Sequence, residues 1–141
     1  MHRRSLLSLT ALPLLGPTAA RALEAPEGAV VLTVSGRVHQ PNRGSVAVFD
    51  MAMLERLPQT SFVTLTPWYA QARKFTGPLL RDVLAAAGSP GSPGGHLRAV
   101  ALNDYRVNIP ADDAQRYDMV LARLLDDKPM LVRDKGPLFT R

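Results

Sequence analysis

The chain has 141 residues, of which 46% are hydrophobic and 21% charged, enough for one small domain with its own core. Its formal charge of +5 falls to +2 once Arg3, Arg4 and Arg21 are removed from the 17 basic residues that face 12 acidic ones. So small and scattered a charge excludes a nucleic-acid-binding patch. The absence of cysteine excludes disulfides and thiolate metal ligands.

The first 22 residues have the three parts of an export signal. Arg3 and Arg4 make a basic start, residues 5–15 are a short apolar run, and Ala20 and Ala22 form an A-x-A cleavage site. The run is too short to span a bilayer, which takes about 20 apolar residues. We therefore expect cleavage after Ala22, by the Sec or the twin-arginine route, and a periplasmic protein with no further membrane contact. The alternative is an uncleaved anchor.

The mature sequence predicts short strands interspersed with short helices. Residues 23–28 are a polar leader that we expect to be mobile, and the domain follows over 29–141. Hydrophobic patterning predicts strands at 29–38, 46–49, 61–66, 97–102 and 106–109, and a hairpin around 126–129. Helices are predicted at 51–57, 78–87 and 111–116. This order indicates an α+β fold with mostly antiparallel or mixed short strands.

Two of these helices have clear end signals. Asp50 can cap the helix at 51–57, which we expect to turn Met51 and Leu54 toward the core. Pro78 suits the first turn of the helix at 78–87, and Gly88 suits the left-handed position after its end. Its apolar stripe consists of Leu79, Leu80, Val83, Leu84 and Ala87.

The usual signatures of metal or nucleophilic sites are missing. His39 and His96 are not at ligand spacing from each other or from a carboxylate. The acid pairs at 112–113 and 126–127 have diverging side chains and are best explained as solvated acids. There is no GxSxG elbow, so we expect no serine hydrolase.

Four segments carry a resemblance to a known family. They are TLTPWY at 64–69, FTGPLLRDVLAAAG at 75–88, ALNDYRVNIP at 101–110 and PMLVRDKGPLF at 129–139. In this order they resemble the small secreted branch of the oxidoreductase molybdopterin-binding domain family, whose best-known members are the sulfite oxidases. The resemblance covers residues 32–139 and implies a sulfite-oxidase-like fold that binds molybdopterin.

The resemblance also assigns roles to single residues. In the family, the loop after the strand at 61–66 supplies a cysteine thiolate to molybdenum. The matching position here is near Thr66, whose hydroxyl is a poor substitute for that soft ligand. Trp68 and Tyr69 could stack on a flat pterin, although Trp68 could instead pack beneath the neighbouring helix.

Two further segments match the family at its cofactor. Asn103, Asp104 and Tyr105 match an Asp-Gly-Tyr-like turn in which Asp104 takes the place of glycine, and a plain turn explains them as well as a ligand contact does. Lys135 matches a basic residue that helps to hold the cofactor phosphate. The arginine that commonly follows is absent, since Leu138 stands there.

The sequence at 136–139 is typical of the start of a strand, but only two residues follow it. We expect a closing strand cut short and a chain prone to associate, with a naturally short variant as the alternative.

Three functions remain open. The first is an active molybdopterin-dependent oxidoreductase with a non-cysteine metal shell. The second is a non-catalytic exported module that binds a pterin, another small molecule or a periplasmic protein. The third is an incomplete gene product. The missing thiolate favours the second function, the non-catalytic module. We therefore expect no catalytic residue and no metal bound by protein side chains.

Overall fold

The computed structural model describes residues 22–132, 136 and 138–140. Short strands and helices alternate along this part of the chain. The strands are β1 (Val30–Val34), β2 (Ala47–Asp50), β3 (Gln59–Thr64), β4 (Arg73–Pro78), β5 (His96–Val100), β6 (Arg106–Pro110), β7 (Leu121–Ala122), β8 (Leu124–Leu125), β9 (Lys128–Pro129) and β10 (Phe139–Thr140). The helices are α1 (Met51–Arg56), α2 (Leu80–Ala86) and α3 (Ala111–Arg116).

The strands form small antiparallel sheets, which confirms the predicted α+β class. The largest sheet has the order β3-β4-β8-β9, while β1 pairs with β2, β5 with β6, and β10 with β7. All of these pairs are antiparallel. Consecutive strands joined by short turns pair in this way, whereas parallel pairs need longer crossovers.

Three apolar clusters make up the core. The first gathers β2, α1 and α2 through Phe49, Leu54 and Val83. The second, which includes Phe75 of β4, also contains Val120, Ala122 and Met130. The third joins α2, β6 and α3 through Leu84, Ile109 and Ala114. Helix α2 therefore packs on two clusters at once, with Val83 in one and Leu84 in the other.

The predicted cap of α1 is confirmed, but the buried face differs. The Asp50 carboxylate accepts the Met53 N–H at 2.8 Å, as an N-cap does. Met53 and Leu54 are the buried residues of α1, so the expectation for Met51 is wrong. Strand β2 ends at Asp50, and the six-residue helix begins at the next residue. The junction at Asp50 therefore helps to determine which helix residues face the core.

Helix α2 begins later than predicted, because a strand occupies its expected first turn. Pro78 ends β4, where it pairs with Gln59, and the helix starts at Leu80. The end signal is confirmed, since Gly88 has a φ of +63°. Val83, Leu84 and Ala87 are buried, and Leu79 and Leu80 are half-buried, so the predicted stripe does face the core.

The segment at 23–28 makes contacts that its composition did not predict. Leu23 packs against the first core cluster. The Asn42 side chain donates to the Glu24 carbonyl at 2.7 Å. The Glu27 and Gly28 N–H groups both donate to the Asp50 carboxylate at 2.8 Å.

Parts of the sequence predictions fall outside the described residues. These are residues 1–21 of the predicted export signal, and Lys135. In the described part of the chain, no helix is long and apolar enough to cross a bilayer.

Candidate functional site

The turn at 66–69 follows β3 and holds three of the predicted site residues. Strand β3 ends at Thr64, and the chain then turns, with the Tyr69 N–H donating to the Thr66 carbonyl at 3.3 Å. Pro67 lies inside this turn and has no N–H to give to a sheet, so the strand cannot continue through it. The turn thus presents Thr66, Trp68 and Tyr69 within four residues.

Thr66 is a buried polar residue whose side-chain hydroxyl has no hydrogen-bond partner among the described residues. The residue is only 7% exposed. Among the described residues, its Oγ1 is the one buried side-chain oxygen or nitrogen without a hydrogen-bond partner. Leaving such a group unpaired costs about 1–3 kcal/mol, so buried hydroxyls are nearly always bonded. A ligand or a water molecule that bonded to Thr66 would recover that energy.

Trp68 is an exposed aromatic residue. It is 54% exposed, so packing beneath the neighbouring helix, the alternative that the sequence left open, is wrong. The residue lies inside the turn, directly after Pro67. The exposed indole offers an apolar plane on which a flat ring could stack.

Tyr69 lies against the second core cluster and under a guanidinium group. The Arg73 guanidinium carbon is 4.6 Å from the Tyr69 ring centroid, a cation–π contact. Arg73 also pairs with the Asp126 carboxylate, which in turn accepts the Lys74 N–H at 2.9 Å. One face of the Tyr69 ring is therefore already occupied by a cation that an acid holds in place.

The acid pair at 126–127 forms ion pairs with two basic residues of β4. The Lys74 N–H, followed by the Arg73 guanidinium, holds the pKa of Asp126 below its ordinary value. The Lys74 ammonium lies 2.9 Å from Asp127 Oδ1. Both acids are exposed turn residues, as predicted, and β4 in addition places two basic side chains beside them at the β8–β9 turn.

The predicted residues at 103–105 lie in a different sheet. They form the tip between β5 and β6, where Asp104 has a φ of +61°, the left-handed conformation expected of a residue in the place of glycine. The Tyr105 N–H donates to the Asn103 side-chain oxygen at 3.3 Å, so the turn is closed locally. The structure thus divides the predicted cofactor residues between two sheets.

The donor atoms of this site do not fit molybdenum. Thr66 offers a hard hydroxyl oxygen, and the sequence contains no cysteine to supply a thiolate. Within the described residues, no group of three His, Asp or Glu side chains could hold a metal ion. An aromatic ring suits the site better than a metal does, because about half of Trp68 is exposed.

Sequence reasoning missed Arg73 and the ion pairs around it. The available signal was the basic pair at 73–74 together with the acid pair at 126–127. Their contact depends on the pairing of β4 with β8, which joins residues about 50 positions apart and leaves no local pattern.

Two surface clefts lie elsewhere. One, of about 270 Å³, is lined by Leu23, Phe49, Met53 and Leu57, among others. The other, of about 280 Å³, is formed by the loop at 90–93 with Ala111, Asp112 and Gln115. Neither is lined by a residue that the sequence placed in the cofactor site.

The fold and the turn define a small α+β protein with antiparallel sheets and an exposed aromatic turn. No protein-family model matches the sequence, and no curated protein matches it significantly. The functional argument therefore depends on the residues themselves.

Proposed function

We propose that the chain is an exported, non-catalytic binding module of the sulfite-oxidase-like type, with its ligand surface at residues 66–69. The observation that carries the proposal is the orphaned Thr66 hydroxyl, buried within two residues of the exposed Trp68 indole. A buried donor or acceptor without a partner costs free energy in the unliganded protein. Such a feature is expected where a ligand completes the hydrogen bonding.

The chemistry of the turn suits a flat heterocycle with a polar edge, such as a pterin. The ring would stack on the indole of Trp68, and a shift of the turn that uncovers the buried Thr66 hydroxyl would let the polar edge bond to it. Arg73 adds positive charge nearby, although Asp126 neutralises much of it. Binding needs no metal ligand, which agrees with a sequence that lacks cysteine.

A fluorescence titration tests the ligand surface directly, since Trp68 is the one tryptophan of the chain. We expect 6-hydroxymethylpterin to quench its emission saturably. Trp68→Ala should weaken binding about tenfold in equilibrium dialysis, because stacking of one ring contributes about 1–3 kcal/mol. Tyr117→Ala, which removes an equally exposed aromatic residue just after α3, is the matched control. Equal affinity in both variants, or no saturable quenching, would contradict the proposal.

Metal content tests the non-catalytic part separately. In protein from a host that makes molybdopterin, we expect little or no molybdenum and no sulfite turnover, because the chain supplies no soft ligand. Thr66→Cys is expected to gain molybdenum if the pocket of the family persists here. One molybdenum per wild-type chain would contradict a non-catalytic module.

A further inference from the structure

The hairpin of β5 and β6 ends in an exposed apolar tip. Every residue from 100 to 108 is exposed. Leu102 is 79% exposed and Tyr105 is 68% exposed, and Val100 lies beside them. Two backbone bonds hold the tip: the Ala101 N–H donates to Tyr105 O at 2.9 Å, and the Asp104 N–H donates to Ala101 O at 3.0 Å. Single exposed apolar residues are ordinary, but three at one end of a hairpin form a patch.

Two arginines lie on the outward face of the same hairpin. In its register Arg98 pairs with Asn108, and Val100 pairs with Arg106. Side chains alternate between the faces of a strand, and directly paired residues share a face, so these four residues lie on one side of the hairpin. The opposite face turns inward, since Leu97 and Ile109 pack in the third core cluster.

Neither arginine has an acidic partner among the residues that the structure describes. Arg73, Arg81 and Arg123 form ion pairs with Asp126, Asp118 and Glu55. Within the described part of the chain, neither Arg98 nor Arg106 forms an ion pair or a side-chain hydrogen bond. Arg106 borders the tip, and Arg98 lies about two residues further back, roughly 7 Å along the strand.

We propose that this hairpin binds the surface of an anionic lipid bilayer. Leu102 and Tyr105 would enter the boundary between headgroups and acyl chains, and Arg98 and Arg106 would pair with lipid phosphates behind them. Apolar and aromatic side chains with adjacent cations are the usual elements of interfacial binding. The patch is the end of a hairpin and not a groove, which favours a bilayer over a protein segment as its occupant.

The proposal departs from the expectation that the mature chain has no membrane contact. That expectation rested on the cleavage of a short export signal, which leaves a mature chain with few and scattered net charges. The antiparallel register brings two of those charges to one face, beside the apolar tip, although they are eight positions apart in sequence.

Asp104 allows a specific test of the proposal, because its carboxylate lies in the tip and would be repelled by an anionic surface. Its φ of +61° is one that asparagine also tolerates. Asp104→Asn should therefore keep the turn and strengthen vesicle binding about fivefold, the effect of one elementary charge near such a surface. Weaker or unchanged binding by this variant would count against the proposal.

Cosedimentation of residues 23–141 with vesicles tests the whole surface. We expect binding to vesicles of equal parts phosphatidylglycerol and phosphatidylcholine, no binding to phosphatidylcholine alone, and a loss of binding at high salt. The double variant Arg98→Gln/Arg106→Gln should bind more than tenfold more weakly, since each cation contributes roughly fivefold.

The matched control is Arg43→Gln/Arg116→Gln, which removes the same charge from exposed positions outside the hairpin. We expect it to bind within about twofold of the wild type, because charges off the contact face are screened by salt. Equal losses in the two double variants would show a net-charge effect and overturn the proposal. So would a wild type that binds an acidic protein surface but not anionic vesicles. Unchanged melting temperatures exclude misfolding as the cause of a loss.

Discussion

At the scale of single residues, two buried polar side chains have opposite surroundings. The Asp50 carboxylate accepts the N–H groups of Glu27, Gly28 and Met53, each at 2.8 Å. The Thr66 hydroxyl, by contrast, has no partner among the described residues. A satisfied buried group stabilises the fold, whereas an unsatisfied one weakens it. Asp50 therefore has a structural role, and Thr66 is the better candidate for contact with a ligand.

Thr66→Val tests that distinction through stability. Valine has nearly the same shape and removes the unpaired hydroxyl, so we expect the free energy of unfolding of the unliganded protein to rise by about 1 kcal/mol. Urea denaturation measures the change. Thr64→Val is the control, because the Thr64 hydroxyl bonds to the Leu65 carbonyl at 3.2 Å. A larger loss in Thr66→Val than in Thr64→Val would show that the Thr66 hydroxyl already has a partner.

The pH dependence of stability should report the role of Asp50. The N–H of Gly28 and that of Met53 are the main causes that hold its pKa below the ordinary 3.8. The carboxylate is thus favoured in the folded state, and its contribution is fully present above the unfolded pKa. That contribution falls as the pH drops through the lowered folded pKa. In urea denaturation between pH 7 and pH 2.5, we expect Asp50→Asn to be less stable at pH 7 and to lose less stability on acidification. Parallel curves for the two proteins would contradict this.

At the scale of elements, features that depend on one or two neighbouring residues could be predicted from the sequence, whereas pairing between distant strands could not. The Asp50 cap, the left-handed Gly88 and the turn at Asp104 were predicted from one or two residues each and are confirmed. Strand β4 was missed, because its sequence includes Arg73, Lys74, Gly77 and Pro78, a poor intrinsic strand. It is a strand because β3 and β8 pair with it on both sides.

In the candidate site, too, one part could be predicted from the sequence and another part could not. The sequence placed Thr66, Trp68 and Tyr69 in one turn, since four adjacent residues with a proline need no tertiary information. It did not predict the exposure of Trp68 or the Arg73 cover on Tyr69. The Arg73 guanidinium is held by Asp126, which the pairing of β4 with β8 brings from a distant segment, and composition cannot encode that pairing.

Helix α2 gives a graded test of core packing. Leu84 is 5% exposed and belongs to the third core cluster, whereas Leu80 is half-buried at its edge. Leu84→Ala should cost about 2–5 kcal/mol, because the deletion leaves a cavity that the surrounding core cannot fill. Leu80→Ala should cost less, since water can enter the space that it leaves. Thermal melts of the two variants measure the difference, and an equal or larger loss for Leu80→Ala would contradict the orientation of the helix.

At the scale of the whole molecule, α2 joins two core clusters, and the segment at 23–28 adds contacts to one of them. Helix α2 contributes to two core clusters, and the N-terminal segment contacts the first of them through Leu23. Sheets of two strands are marginal in isolation. We therefore expect the two-stranded sheets to depend for their stability on packing against these elements.

Removal of residues 23–28 tests this connection. The deletion takes away the Leu23 contact and two of the three donors to Asp50. We expect residues 29–141 to melt about 10 °C below residues 23–141, since each kcal/mol shifts the melting temperature of a small domain by roughly 4–8 °C. Asp50→Asn should then destabilise the shortened chain less than the longer one, because both changes remove the same hydrogen bonds. Equal melting temperatures for the two lengths would instead favour the mobile leader that composition predicts, and additive losses would show that Asp50 acts through α1 alone.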